Sequence, residues 1–368
     1  MNDSVRLWNP IFELNLRSPT PFTWFFLSFL LLWAIGFLIV LDVILWRFPH
    51  RIWDHIFYSI AVFVISSLVY QVRPSRVPLI GLWLFLVSFF LLWMVFLPGI
   101  GKSIQGKAHW ISLGFTTLQP IELVKLGWIL FLANLLSRLQ RKEESPERVI
   151  MIIGLFLGSI VLNMVWQPDI DGLVFFVAFT SLMVMISGQF PFRILLRFLA
   201  AAFSAMIVCG VVALYIKGAN LSSLTSKRMD DLKIVQVAFA SGFPFGVGMG
   251  RNVMSFSISN PHTDFILAPL VEELGVFGGF CVFFLFFFLC ATAWWYGSQE
   301  REFFWTMVSW GIAFHLGMQC LVNVGVALAL LPTAGTPFPF LSWGGTALLV
   351  NASEIALLAR RMNETKRG

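Results

Sequence analysis

The chain is poor in charge. Asp, Glu, Lys and Arg make up only 12% of its 368 residues, against roughly 25% in a soluble globular protein. That shortage excludes an ordinary water-soluble domain. Cysteine is also scarce: Cys209, Cys281, Cys290 and Cys320 all sit in apolar runs, without disulfide or zinc spacing, and read as small buried hydrophobes. No low-complexity tract, internal repeat or soluble catalytic domain is evident. The polar start, Met1 to Arg17, lacks a small-residue cleavage site, so no removable signal peptide is expected. The net charge of +6 does not point to a nucleic-acid partner; its distribution speaks to topology instead.

What is present is apolar surface. Hydrophobic residues reach 58%, with 40 Phe and 15 Trp, and the mean hydropathy is +0.84. A spanning helix needs about 20 apolar residues. Windows of that length predict an all-α, polytopic membrane protein with spans near 22–45, 52–71, 78–98, 118–137, 149–165, 172–187, 194–216, 264–296, 303–330 and 338–359. Residues 1–368 read as one integral membrane domain of about ten spans, with both termini on one side. The larger share of the 25 Lys and Arg falls on that side, which makes it the cytoplasmic one. The basic stretch Arg47 to Arg51 runs against the rule. The longest connections, near 99–118 and 217–263, fall outside, so the chemistry is expected there.

Five constellations stand out. Pro120 suits the first turn of a helix, which places Glu122 and Lys125 three apart on one face. They are either a buried pair that fixes packing or part of a polar cavity. In Gln167-Pro-Asp169, Asp169 and nearby Asp171 form a polar turn or offer two oxygen ligands to a cation. The loop 217–263 holds Lys227-Arg228 and glycines at 242, 246, 248 and 250. It lacks the strand and helix of a nucleotide-binding loop, but a flexible, basic, glycine-rich loop suits a lipid pyrophosphate. The stretch Asn260 to Gly275 places His262 and Asp264 at the outer mouth of span eight, with Glu272 and Glu273 two to three turns further in. Charges there are expensive and mark function. Asp264 is either a helix cap or a general base, worth roughly 10²–10⁴-fold in rate. Finally, Asn323 to Gly345 carries three prolines and Gly335, then Ser342, Gly344 and Gly345, an irregular segment that membranes tolerate beside a cavity.

Taken in order, these motifs resemble the SEDS family (shape, elongation, division and sporulation) of ten-span peptidoglycan glycosyltransferases. The likeness runs from about Gly106 to Arg360. It rests on the segments around Gln119 to Lys125, Gln167 to Asp169, His262 to Gly275 and Leu331 to Gly345. The resemblance implies polymerisation of lipid II on the outer face of the bacterial cytoplasmic membrane, with a class B penicillin-binding protein transpeptidase as partner. It makes Asp264 the essential acidic residue. It places Trp110, Glu122, Lys125, Gln167, Asp169, Arg228, His262, Glu272, Glu273 and Ser342 at the substrate. Departures are Ile121 for a common Ser, Asp171-Gly172 for Gly-Thr, and Ser-Trp343-Gly-Gly-Thr346-Ala347 for Ser-Tyr-Gly-Gly-Ser-Ser. The arginine-containing stretch is shortened to Ser226–Asp231, with Arg228 as its arginine.

The expected reaction is attack of an acceptor hydroxyl on a sugar C1, with Asp264 as base and undecaprenyl pyrophosphate as leaving group. Lys102, Lys107, Arg228 and Arg251 are candidates to stabilise that leaving group. A divalent cation, Mg or Mn, could do the same task, with Asp169 or Asp171 as ligands; the sequence does not fix a metal requirement. Two other functions compete. A lipid II flippase needs polar groups at several depths, and a non-catalytic scaffold predicts that Asp264→Ala is silent. Division and elongation types are barely distinguishable, with Gly246 to Gly250 and Leu331 to Thr333 leaning towards division.

Overall fold

The computed structural model describes residues 21–104, 107–112, 117–167, 169–217, 221–258, 260–328, 330–331 and 335–365. Eleven helices and one small sheet account for most of them. The helices are α1 (Pro21–Arg47), α2 (Ile52–Tyr70), α3 (Val77–Met94), α4 (Pro120–Gln140), α5 (Pro146–Trp166), α6 (Ile170–Ser187), α7 (Phe192–Lys217), α8 (Leu221–Ser241), α9 (Leu267–Gln299), α10 (Phe303–Ala327) and α11 (Gly345–Thr365). Ten of them coincide with the ten apolar windows. Eight are long and apolar enough to cross a membrane; the apolar stretch of α6, Asp171–Ser187, is shorter. In α11 Glu354, Arg360, Arg361 and Glu364 dilute the apolar signal.

Local sequence sets the boundaries. Pro120 opens α4, as the spacing predicts. Ser145 caps α5, its hydroxyl accepting from Arg148 N at 3.3 Å. Gly188, in the left-handed region, ends α6. Pro74 and Pro78 mark the entry to α3. Within the bundle α4 is the central post, with 89% of its span buried against 11% for α7. It packs against α3, α10 and α11. Gly127 lets the α4 backbone meet the α3 backbone at Phe85, and Trp128 donates to Thr180 Oγ1 of α6 at 2.9 Å.

Two connections differ from the open loops that the sequence suggests. Residues near 99–118 contain a three-stranded antiparallel sheet, β1 (Gly101–Ile104), β2 (Lys107–Ser112) and β3 (Thr117–Leu118), in the order β1-β2-β3. Trp110 pairs with Lys102 in its register. Residues 217–263 contain α8, whose buried positions Asp231, Val235 and Ala238 recur at helical spacing. Val235 and Ala238 form a second, smaller core with Ile258, Phe265, Ala268 and Val326.

The predicted outer connections converge at one end. Trp166, the last residue of α5, meets Trp93 and Phe96 at the end of α3. Gln119 N donates to Thr346 Oγ1 at 3.2 Å, and Arg47 reaches Phe256 O at 2.6 Å. The predicted inner connections meet at the other end: Asn363 donates to Tyr70 Oη at 2.7 Å, and Arg361 binds Glu300 and Glu302 at 2.9 and 2.8 Å.

Candidate active site

The turn before α9 carries His262 and Asp264, and its backbone is clamped from the α10 and α11 side. Three successive carbonyls each accept a hydrogen bond from another segment. Trp343 N donates to His262 O at 2.8 Å. Ser342 Oγ donates to Thr263 O at 2.7 Å, and Asn323 Nδ2 donates to Asp264 O at 3.2 Å. Asn323 also donates to Thr336 O at 3.1 Å, and Ser342 Oγ accepts from Phe338 N at 2.9 Å. The proline-broken segment 336–344 therefore acts as a splint for the Asp264 turn. Asp264 stands two residues before the N-cap of α9, Ile266. Its side chain is only partly buried, whereas Glu272 and Glu273 are each 1% exposed.

His262 is sandwiched between Phe48 and Trp343, with ring centroids 5.1 and 5.2 Å away. Burial pushes its imidazole pKa down to about 4, helped by the positive charges of Arg51 and Arg47. It is neutral at physiological pH. The Arg51 guanidinium lies 5.8 Å from the Phe48 centroid and 5.7 Å from that of Trp343. Arg47 binds the carbonyls of Phe256 and Ile258.

Behind the turn, the two glutamates of α9 divide their tasks. The Glu272 carboxylate accepts four bonds: from Val253 N and Met254 N at 2.9 Å, from Ser255 N at 2.8 Å and from Ser255 Oγ at 2.6 Å. It anchors the turn that leads back to His262. Glu273 shares the side-chain amide of Asn252 with Asp42 of α1. The glycine-rich segment, which the sequence suggests as a flexible loop suited to a lipid pyrophosphate, is bonded to the α9 backbone. Val247 N and Gly248 N donate to Glu272 O and Glu273 O at 2.9 and 3.1 Å. Gly246 and Gly275, with φ of 83° and 75°, lie against each other at the break in α9, where a Cβ on either would overlap the other's backbone neighbours. Gly242 and Gly246 serve close packing, while Gly248 and Gly250 supply positive φ.

The remaining site candidates lie apart. Lys125 Nζ binds Glu122 Oε1 at 2.7 Å, deep between α4, α10 and α11. Beside this pair, His315 Nδ1 lies 2.7 Å from Glu354 Oε1, both fully buried. Gln319 contacts the other imidazole nitrogen at 2.9 Å and accepts from Asn351 at 3.0 Å. Gln167 is bonded to Asn163 at 2.7 Å, and Asn163 to Leu92 O at 3.2 Å, so its amide knits α5 to α3. Asp169 precedes α6 and is partly buried, as is Trp110. Among the described residues, no group of three or more His, Cys, Asp or Glu is placed to hold a metal ion. Lys102 and Arg251 are exposed. The side chains of Lys107 and Arg228 lie outside the described residues, as does Pro168.

The profile of the FtsW/RodA/SpoVE cell cycle protein family matches residues 22–367. The chain belongs to this family. Among similar FtsW/RodA/SpoVE proteins is a probable peptidoglycan glycosyltransferase FtsW of Coxiella burnetii, 32% identical over 330 residues, covering 85% of this chain and 87% of the relative. A namesake in Saccharophagus degradans is 31% identical over 356 residues, covering 92% and 83%. The fold matches the crystal structure of the Thermus thermophilus rod shape determining protein RodA, with a TM-score of 0.68, 22% identity, and 92% and 96% of the two chains covered. It also matches a chain of a peptidoglycan synthase complex solved to show how polymerisation and crosslinking are coordinated (TM-score 0.69, 22% identity, 92% and 97% covered). Like other FtsW/RodA/SpoVE proteins, the chain is an integral protein of the bacterial cytoplasmic membrane.

Several residues of this FtsW/RodA/SpoVE site escaped the sequence. Asp42 and Asn252 carry no motif. His315 and Glu354 are single polar residues in apolar windows, a signal that averaging over 20 residues erases. Arg47 and Arg51 did carry a signal, as cations on the side where the positive-inside rule does not place them.

Proposed function

We propose that this chain is a peptidoglycan glycosyltransferase that polymerises lipid II at the outer face of the cytoplasmic membrane, in cell division. The observation that carries the reading is Asp264: a partly exposed carboxylate on a turn fixed through three successive carbonyls, two residues after His262, whose imidazole feels the charges of Arg51 and Arg47. In this reading the 4-hydroxyl of the acceptor's terminal GlcNAc attacks C1 of the donor chain's terminal MurNAc. Asp264 takes the hydroxyl proton as the new C–O bond forms. The bond from C1 to the pyrophosphate oxygen breaks, its electron pair leaves with undecaprenyl pyrophosphate, and the configuration inverts. A second carboxylate of the glycosidase kind is unnecessary, because the donor brings its own leaving group.

Division is favoured over elongation because the similar curated proteins are FtsW. A class B penicillin-binding protein as partner is supported by the likeness to a chain of a synthase complex. Among the described residues no third His, Cys, Asp or Glu joins Asp169 and Asp171 to make a metal centre, and no step is routed through a cation. A flippase would need polar groups along an open path. The buried cluster of Glu122, Lys125, His315 and Glu354 is sealed instead, with side chains no more than 7% exposed. Incubating the purified chain with labelled lipid II, with and without the transpeptidase, tests the reading: glycan polymer supports it, and its absence under both conditions contradicts it.

A further inference from the structure

Arg47 and Arg51 are cations on the outer side, where the topology rule disfavours them, and neither pairs with a carboxylate among the described residues. Arg47 is held by two backbone carbonyls, which fixes its charge without neutralising it. Arg51 is exposed and rests on the faces of Phe48 and Trp343. A guanidinium so placed keeps its planar edge of donors free for an oxyanion. Between the same two rings sits His262, 6% exposed, whose Nδ1 has no hydrogen-bond partner. A buried polar atom without a partner is costly, and neutral imidazole can donate from that atom. Two unneutralised cations and an orphaned imidazole nitrogen thus meet on one aromatic floor, two residues from Asp264.

We propose that Arg51, Arg47 and His262 Nδ1 form a binding site for a phosphate-class anion carried by a lipid. On the transferase reading above, from which only the ligand's identity is taken, that anion is the pyrophosphate of the polyprenyl-linked donor. Its negative charge rises as the C1–O bond breaks, and fixed positive charge at that place is the usual way to stabilise it. The site replaces the glycine-rich loop and the scattered lysines as the anchor of the leaving group. The other source of the same chemistry is a glycerophospholipid headgroup.

The test uses the full chain in phosphatidylcholine nanodiscs. Binding of undecaprenyl pyrophosphate and the KM for lipid II are measured for wild type, Arg51→Gln, Arg51→Lys, His262→Gln and Asp264→Asn. Loss of one charge-assisted bond predicts roughly 10- to 100-fold weaker binding for Arg51→Gln, partial recovery in Arg51→Lys, and unchanged binding in Asp264→Asn. Competition by phosphatidylglycerol, but not phosphatidylcholine, at parity with undecaprenyl pyrophosphate would assign the same site to a headgroup. Wild-type binding in both Arg51→Gln and His262→Gln, with each variant monodisperse and matching wild type in thermal midpoint, overturns the site. If wild type binds the pyrophosphate in an Arg51-dependent way yet makes no polymer, the site stands and the transferase reading falls.

Discussion

The side-chain amide of Asn323 on α10 donates to the backbone carbonyl of Asp264, 3.2 Å away. Asn323 is 1% exposed, and the same nitrogen holds Thr336 O. It is therefore placed as a positioning residue: it holds the Asp264 turn and the splint together. Asn323→Ala leaves two carbonyls without that donor, a cost of about 1–3 kcal/mol. A displacement of about 1 Å at Asp264 is enough for a loss on the order of 10²-fold in rate. The expected outcome is a kcat reduced at least ten-fold with KM for lipid II little changed, measured by single-turnover polymerisation. A change confined to KM would place Asn323 at the substrate instead.

Glu354 and His315 form a contact buried on both sides, next to the Glu122–Lys125 pair. Breaking a buried pair by removing one partner costs roughly 3–5 kcal/mol, while replacing both with apolar groups costs much less. Glu354→Leu alone is expected to lower the unfolding temperature in detergent, and His315→Phe added to it is expected to restore part of the loss. Additive losses in the double variant would show that the two residues act independently.

Gly246 and Gly275 hold the glycine-rich segment on the break in α9. Alanine at either position meets backbone and must adopt a left-handed φ, a strain of order 1–3 kcal/mol before any clash. Gly246→Ala and Gly275→Ala are both expected to destabilise, whereas Gly248→Ala, which meets only the flexible side chain of Arg251 at van der Waals distance, carries the φ strain without the backbone clash. Thermal midpoints of the three variants check the order.

His262 gives a pH signature. Its pKa falls from 6.5 in the unfolded chain to about 4 in the fold. Between those values the unfolded state binds more protons, so stability rises with pH there. The contribution is fully present above about pH 6.5 and is lost progressively as pH falls towards 4. His262→Gln is expected to flatten that part of the stability profile. An unchanged slope would place the titration on another group.

Ten helices lie where 20-residue apolar windows place them, because lipid-facing surface must be apolar along the whole span. The same windows pass over α8, which is amphipathic: its face with Val235 and Ala238 packs on Phe265, Ala268 and Val326, while Asp230 and Lys233 are exposed. The Asp264 turn stood out in sequence, since charge beside an apolar run is rare. The Asn323 to Gly345 segment with Ser342 stood out as well, but its clamping role did not, because Asn323, Ser342 and Trp343 act on backbone carbonyls brought together only by the packing of α9, α10 and α11. Glu272 was visible as a buried charge, but its four donors come from residues 253–255, whose approach no spacing rule predicts.

The most direct measurement compares polymer formation from labelled lipid II by wild type and by folded Asp264→Ala, each purified with its transpeptidase. Glycan strands from wild type, with a loss of about 10²-fold or more in the variant, are the predicted result. Equal polymer from both would remove the Asp264 carboxylate from the chemistry.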